Sequence, residues 1–141
     1  MPRKRKYIGN ITVDLLTAGV PTRNGRVYPP ELIAKLREDI VARPVTIEEV
    51  SPVERRAKKV PVCYSWPEHA MADSTGAEVV DGTLRVDFAI RDNRFGKLLD
   101  RLVSEGGVSF KPVGIGDCSP DGTVTEYRIT YVTFEVPRGQ A

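Results

Sequence analysis

The sequence contains very little histidine and cysteine, and this scarcity excludes several kinds of chemistry. His69 is the only histidine, and the two cysteines, Cys63 and Cys118, do not form a Cys-x-x-Cys pair. Zinc sites built from several Cys and His ligands are therefore excluded, as is a disulfide framework. We expect no metal and no other cofactor. Any reaction that needs an imidazole must use His69 or proceed without one.

The sequence also lacks an excess of charge of either sign and long hydrophobic runs. Lys and Arg together number 21 against 19 Asp and Glu, a net charge of +2 over 141 residues. This balance argues against nucleic acid as the partner. No apolar run approaches the ~20 residues of a membrane span, and no signal-peptide pattern follows the first methionine. We therefore expect one soluble domain with no membrane partner, since 40% hydrophobic residues can bury a core.

Two segments have the apolar spacing of amphipathic helices. The first opens at the Tyr-Pro-Pro sequence that begins at Tyr28, runs to about Ala42 and stops at Pro44. The second runs over residues 93–105, with Asp92 as the candidate N-cap and two glycines directly after it. Both segments are predicted to pack an apolar face against a sheet.

Runs of β-branched and aromatic residues predict the strands of that sheet. The first run is 7–17, and residues 77–90 form a hairpin around a two-residue Asp-Gly turn. The chain closes with a strand at 108–113, a bend at the Gly-Ile-Gly of 114–116, and a strand at 124–136. Shorter strands are predicted at 45–47 and 60–64. The predicted class is α+β, a mostly antiparallel, partly closed β-sheet or barrel of six or seven strands with two flanking helices.

Two charged segments are predicted to be exposed, a basic tail at residues 1–6 and a loop at residues 48–59. The tail is either solvated or an electrostatic contact to a partner or nucleic acid. The loop is either a partner-binding arm or a solvated surface, and its basic residues favour a solvated loop over a DNA groove. The basic side chains that are candidate partner contacts are Arg3, Lys4, Arg5, Lys6, Arg55 and Arg56.

Ser109 and His69 are the candidate catalytic residues. A nucleophilic serine needs a base within hydrogen-bond reach and donors for the oxyanion, and His69 is the sole imidazole. Ser109 follows a Gly-Gly pair that lets a substrate backbone approach closely. The alternative interpretation is a strand serine after a helix C-cap and an exposed loop histidine.

Two motifs and the order of the elements carry a resemblance to a known family. Residues 24–29 read Asn-Gly-Arg-Val-Tyr-Pro at the start of a helix, and residues 107–116 read Gly-Val-Ser-Phe-Lys-Pro-Val-Gly-Ile-Gly. Over residues 7–137 the chain resembles the head-maturation (prohead) proteases of tailed bacteriophages, whose fold is similar to that of the herpesvirus assemblins. The resemblance implies that fold and a structural role for the motif residues Asn24, Gly25, Arg26, Tyr28 and Pro29.

The chain departs from the family pattern where catalysis would occur. The resemblance places the family's histidine before a proline, and Trp66 stands there instead, whose indole nitrogen cannot accept a proton. In the family's Ser-Ser-Arg-Gly pattern, Ser109 is kept and the next positions are Phe110, Lys111 and Pro112. Loss of a triad's base or nucleophile costs on the order of 10⁶-fold in rate. The replaced positions therefore predict a catalytically degenerate protein.

The predicted function is that of a phage virion structural protein with a head-maturation-protease fold. It would be a capsid decoration (cement) protein or another capsid-associated protein, bound to the major capsid protein or other virion subunits. The chain could also form homo-oligomers. Its predicted location is the virion capsid, assembled in the host cytoplasm. The alternative is an active prohead serine endopeptidase that cleaves scaffold and capsid proteins, with Ser109 as nucleophile and His69 as base. A third hypothesis is an unrelated small α+β binding domain.

Overall fold

A computed structural model of the chain describes residues 6–22, 24–49 and 69–136. The predicted strand at 60–64, most of the charged loop and of the basic tail, Cys63 and Trp66 lie outside the described residues. Within them, the helices are α1 (Pro30–Ala42) and α2 (Arg94–Glu105). The strands are β1 (Tyr7–Thr17), β2 (Thr46–Ile47), β3 (Ala72–Val80), β4 (Thr83–Arg91), β5 (Ser109–Cys118) and β6 (Val124–Glu135).

The six strands form one sheet in the order β1-β4-β3-β2-β6-β5. The pairs are antiparallel except β2 and β6, which run parallel. β1 and β5, at the two edges, contact each other although they share no hydrogen-bonded ladder, so the sheet curls into a half-barrel. The predicted α+β class with a mostly antiparallel, partly closed sheet is confirmed. Within the described ranges, no helix is long and apolar enough to cross a membrane.

The core lies between α1 and the sheet, and the apolar spacing of the sequence accounts for it. The four apolar residues of α1 that fall on one face, Leu32, Ile33, Leu36 and Ile40, are all buried. In β4, the alternating apolar residues are buried to 1% exposure or less, namely Leu84, Val86, Phe88 and Ile90. Burial of each such side chain contributes about 1.5–3 kcal/mol to stability.

The turns that join β3 to β4 and α2 to β5 form as the sequence predicts, whereas the residue that caps the start of α2 differs from the prediction. Asp81 and Gly82 have φ of 50° and 79°, both positive as a two-residue type I′ turn requires. Gly106 ends α2 at φ 81°. The predicted N-cap Asp92 is wrong, because the Asn93 side chain accepts the Gly96 N–H at 2.7 Å. Asn93 satisfies a backbone donor that has no partner within the helix.

Two predicted strand boundaries are wrong. β3 begins at Ala72 rather than at residue 77, because the buried Ser74 hydroxyl accepts the Val45 N–H at 2.8 Å and so tolerates burial. The predicted bend at 114–116 is instead continuous strand. A Cβ at Gly114 would lie 2.1 Å from the Arg128 carbonyl oxygen, and one at Gly116 would lie 2.1 Å from that of Glu126. These glycines therefore allow β6 to approach closely rather than turning the chain.

The charged loop predicted at residues 48–59 is wrong at its first residue, Glu48, which is buried. Its side chain is only 2% exposed, and its backbone N–H donates to the Val132 carbonyl at 2.8 Å. The Thr46 hydroxyl donates to its carboxylate. Residue 48 therefore continues the β2 ladder and is not part of an exposed loop.

Candidate functional site

Ser109 is the first residue of β5, and its side chain is exposed. It lies opposite Glu135 of β6, whose carboxylate accepts a hydrogen bond from Lys111 Nζ at 2.6 Å. Phe110, between them in sequence, is half-buried and packs against the core. Three of the four residues at the positions of the serine pattern thus form a packed and ion-paired strand start, in which Ser109 is exposed.

The backbone of β5 determines which N–H groups could face a substrate beside Ser109. The Val132 carbonyl faces β2, because it accepts the Glu48 N–H, so the odd-numbered residues on either side of it in β6 face β5. The strand register then directs the backbone of Ser109 and Lys111 toward β6, and that of Phe110 and Pro112 toward the outer edge. Since proline has no N–H, Phe110 supplies the only backbone donor of this pair for an oxyanion.

His69 lies at the same end of the sheet as Ser109 but beside another strand. It precedes β3, and its exposed ring lies against Phe95 of α2 with 5.1 Å between ring centroids. β2 and β6 separate β3 from β5, which places these strands about 14 Å apart along the sheet at ~4.8 Å per spacing. Among the described residues, no hydrogen bond joins Ser109 to His69. Their catalytic pairing stays a prediction.

A network of charged and polar side chains that the sequence did not predict lies at this end of the sheet. Arg91 donates to both carboxylate oxygens of Asp73 at 2.7 Å, and the Tyr7 hydroxyl donates to the same carboxylate at 3.2 Å. The Arg91 hydrogen bonds hold the pKa of Asp73 below its usual range. Burial, and then Asp73, raise the pKa of Tyr7. The network joins β1, β3 and β4, and no local pattern reveals it because its members are 18 and 66 residues apart.

The lowered pKa of Asp73 predicts an acid-dependent contribution to stability. A carboxyl whose pKa is lower in the folded than in the unfolded state stabilises the fold above its unfolded pKa, about 3.9. That contribution is lost as pH falls through the folded pKa. We expect Asp73→Asn to lower the free energy of unfolding at neutral pH, and the deficit to shrink below about pH 3.9.

Chemical denaturation of both proteins across this pH range measures the effect. Asp100→Asn, at an exposed position of α2 outside the network, is the matched control and should follow the parent protein at each pH. If Asp73→Asn lowers the free energy of unfolding equally at acid and neutral pH, the ionisation of Asp73 does not contribute to stability.

The motif at residues 24–29 forms a structural joint. The Tyr28 ring is 5% exposed and packs edge-to-face on Tyr127 with 5.4 Å between centroids. The Val27 N–H donates to the Gly122 carbonyl at 2.9 Å, and the Val27 carbonyl accepts the Val124 N–H at 2.8 Å. Burial raises the pKa of the Tyr28 hydroxyl. The motif therefore attaches the entry to α1 to the turn between β5 and β6, while the Arg26 side chain is exposed.

The remaining predictions concern the basic contact residues and metal binding. Lys6 is exposed, and its carbonyl accepts the Asp92 N–H at 3.0 Å. The remaining basic contact candidates, Arg3, Lys4, Arg5, Arg55 and Arg56, lie outside the described residues. Across residues 6–22, 24–49 and 69–136, no group of three or more His, Cys, Asp or Glu side chains could hold a metal ion.

The fold is similar to that of a solved bacteriophage protein. The structure of the bacteriophage T4 capsid assembly protease, gp21, matches with a TM-score of 0.66 and 20% sequence identity, covering 89% of this chain and 79% of that chain. Neither a family model nor a curated protein matches the sequence. The chain therefore has the fold of a phage capsid assembly protease, which confirms the fold that the sequence resemblance implied.

Proposed function

We propose that this chain is a bacteriophage head protein that uses the fold of a capsid assembly protease to bind the capsid without cleaving it. The observation that carries the proposal is the placement of the two candidate catalytic residues. The His69 ring lies against Phe95, just before β3, and β2 and β6 separate β3 from the strand of Ser109. A serine that is not hydrogen-bonded to its candidate base is a weak nucleophile at neutral pH.

The surroundings of Ser109 support the same proposal. Lys111 is engaged with Glu135 at 2.6 Å, and lysine cannot reproduce the planar fork of the arginine that the resemblance implies at this position. Pro112 faces the outer edge without an N–H. The strand is thus suited to hold a sheet together and poorly suited to stabilise an oxyanion.

The phage head context comes from the similar protein, which is a capsid assembly protease. We propose that the partner of this chain is the major capsid protein or another virion subunit, and that the chain stays in the virion as a decoration (cement) or capsid-associated subunit. The proposed contacts are the exposed Lys6 and the other basic residues of the candidate set, Arg3, Lys4, Arg5, Arg55 and Arg56.

A cleavage assay with the scaffolding and major capsid proteins of the same phage tests the proposal. We expect the chain and its Ser109→Ala variant to leave both substrates intact, as followed by mass spectrometry. We also expect both proteins to sediment equally with assembled shells. Cleavage that Ser109→Ala abolishes would overturn the proposal, as would failure of the chain to bind shells.

An active serine endopeptidase is the second candidate, and one observation favours it. Ser109 and His69 are both exposed and lie at the same end of the sheet, where one bound substrate could contact both. The His69→Ala variant distinguishes a Ser109 nucleophile activated by His69 from one activated by another group. It should reduce cleavage about as much as Ser109→Ala if His69 is the base, because members of one catalytic unit act together.

A further inference from the structure

The two edge strands of the described sheet differ in how they are protected against pairing with another strand. β1 has two register irregularities, between Tyr7 and Gly9 and between Asp14 and Leu16, each with an extra residue on β1 itself. Bulges on an edge strand twist it away from other strands. The irregularities between β5 and β6 place the extra residue on β6, so β5 remains regular. Among the described residues, β1 contacts β5 without pairing with it, so β5 is the edge strand whose outward backbone groups keep a regular spacing.

The second half of β5 presents pairing groups at this edge. The alternation that directs Lys111 toward β6 also directs the backbone of Gly114, Gly116 and Cys118 outward, and the Ser119 N–H that donates to Thr123 at 2.8 Å has the expected inward direction. Residues 115–118 are all exposed. Ile115, in the middle of this stretch, is 64% exposed, the largest value among the exposed large apolar side chains of the described residues.

A groove of about 900 Å³ lies between the second half of α1 and this part of β5 and β6. Its charged lining residues are balanced, with three basic (Lys35, Arg43, Arg128) and three acidic (Asp39, Asp117, Glu126). A surface with equal numbers of both charges can match itself across a two-fold axis, whereas a uniformly charged peptide would meet as much repulsion as attraction.

We propose that β5 pairs with β5 of a second copy of this chain, antiparallel about a two-fold axis at Ile115. The N–H and C=O of Gly114 then pair with those of Gly116 in the second copy, and the reverse. Because the Ile115 backbone faces β6, Ile115 meets its own copy in a non-hydrogen-bonded pair, where side chains lie closest. The dimer covers the most exposed apolar side chain and joins the two sheets.

Pro112 limits the extent of this pairing. It lies opposite Cys118 of the second copy in the proposed register, where its carbonyl can accept a hydrogen bond although it has no N–H to donate. Strand pairing therefore ends there, before the two copies reach Ser109. The proposal is independent of whether the chain cleaves, since the dimer leaves the start of β5 outside the paired segment.

A charge at the two-fold axis tests the proposal. Ile115→Lys places two ammonium groups opposite each other in the dimer, and we expect it to weaken self-association by at least about tenfold in sedimentation equilibrium. Val79→Lys is the matched control, because Val79 is an apolar β3 residue that is 42% exposed and lies away from the edge of the sheet. A parent chain that stays monomeric, or a dimer that Ile115→Lys leaves intact, would overturn the proposal.

Cysteine crosslinking tests the register without requiring a folded lysine variant. In a chain with Cys63 and Cys118 changed to serine, Ile115→Cys should oxidise to a covalent dimer, because opposed residues in a non-hydrogen-bonded pair have the Cα spacing that a disulfide requires. Val79→Cys in the same background should crosslink at least about tenfold more slowly. Equal crosslinking at the two positions would show that β5 is not the interface.

Discussion

Alanine at position 96 is expected to lower the free energy of unfolding by about 3 kcal/mol, a large effect for the addition of one methyl group. A Cβ at Gly96 would lie 1.9 Å from the Arg91 carbonyl oxygen and 2.8 Å from the Arg91 carbonyl carbon. Both atoms belong to the backbone, so no side-chain rotation relieves the clash. The Gly96 N–H also donates to the Asn93 cap at 2.7 Å, so a shift of the first helical turn would break the cap as well.

Urea denaturation of Gly96→Ala measures this effect, with Gly9→Ala as the matched control. A Cβ at Gly9 would meet no atom within 4 Å, and we expect that substitution to change stability by no more than about 0.5 kcal/mol. Equal effects at the two positions would contradict the close packing of α2 on the end of β4. The result matters for the candidate site, because α2 carries Phe95 against His69 and leads through Gly106 to Ser109.

Removal of the Tyr28 ring is expected to produce the second large effect, a loss of about 3 kcal/mol in Tyr28→Ala. The ring is 5% exposed, packs edge-to-face on Tyr127, and lies where the chain enters α1. Tyr28→Phe keeps the ring and removes only the hydroxyl, so we expect it to cost about 1 kcal/mol or less. Equilibrium denaturation of the two variants separates ring packing from hydrogen bonding.

Two further variants sharpen the measurement at this joint. Arg26→Ala removes an exposed side chain of the same motif and should change stability by no more than about 0.5 kcal/mol. A double-mutant cycle between Tyr28 and Tyr127 should give a coupling of about 0.5–1.5 kcal/mol, as is usual for aromatic pairs. Additive effects of the two substitutions would mean that the rings contact each other without stabilising the joint.

These predictions bear on what the motif at residues 24–29 means for function. In this chain, its tyrosine packs on Tyr127 of β6 at the entry to α1, far in sequence from Ser109. A protein can therefore keep the motif and the fold while its catalytic residues change. The likeness in fold to a capsid assembly protease is therefore compatible with the proposal that this chain binds capsid subunits without cutting them.

The sequence alone determined the elements whose signals are local. The apolar spacing of α1, the alternation in β4 and the Asp-Gly turn before it each follow from the geometry of a few consecutive residues, and the structure agrees with them. The scarcity of histidine likewise limits, through composition alone, the chemistry that the chain can perform. The resemblance added the global fold.

Tertiary structure decided everything that depends on residues distant in sequence. Glycines at 114 and 116 predict a bend when read locally, and only the approach of β6 shows that they keep β5 straight and close to its neighbour. The burial of Glu48, the Asp73–Arg91–Tyr7 network and the position of His69 against Phe95 follow from strand order, which no spacing along the chain encodes. The physical reason is that hydrogen-bond pairing and close packing act between neighbours in space, whereas periodicity reports only neighbours in sequence.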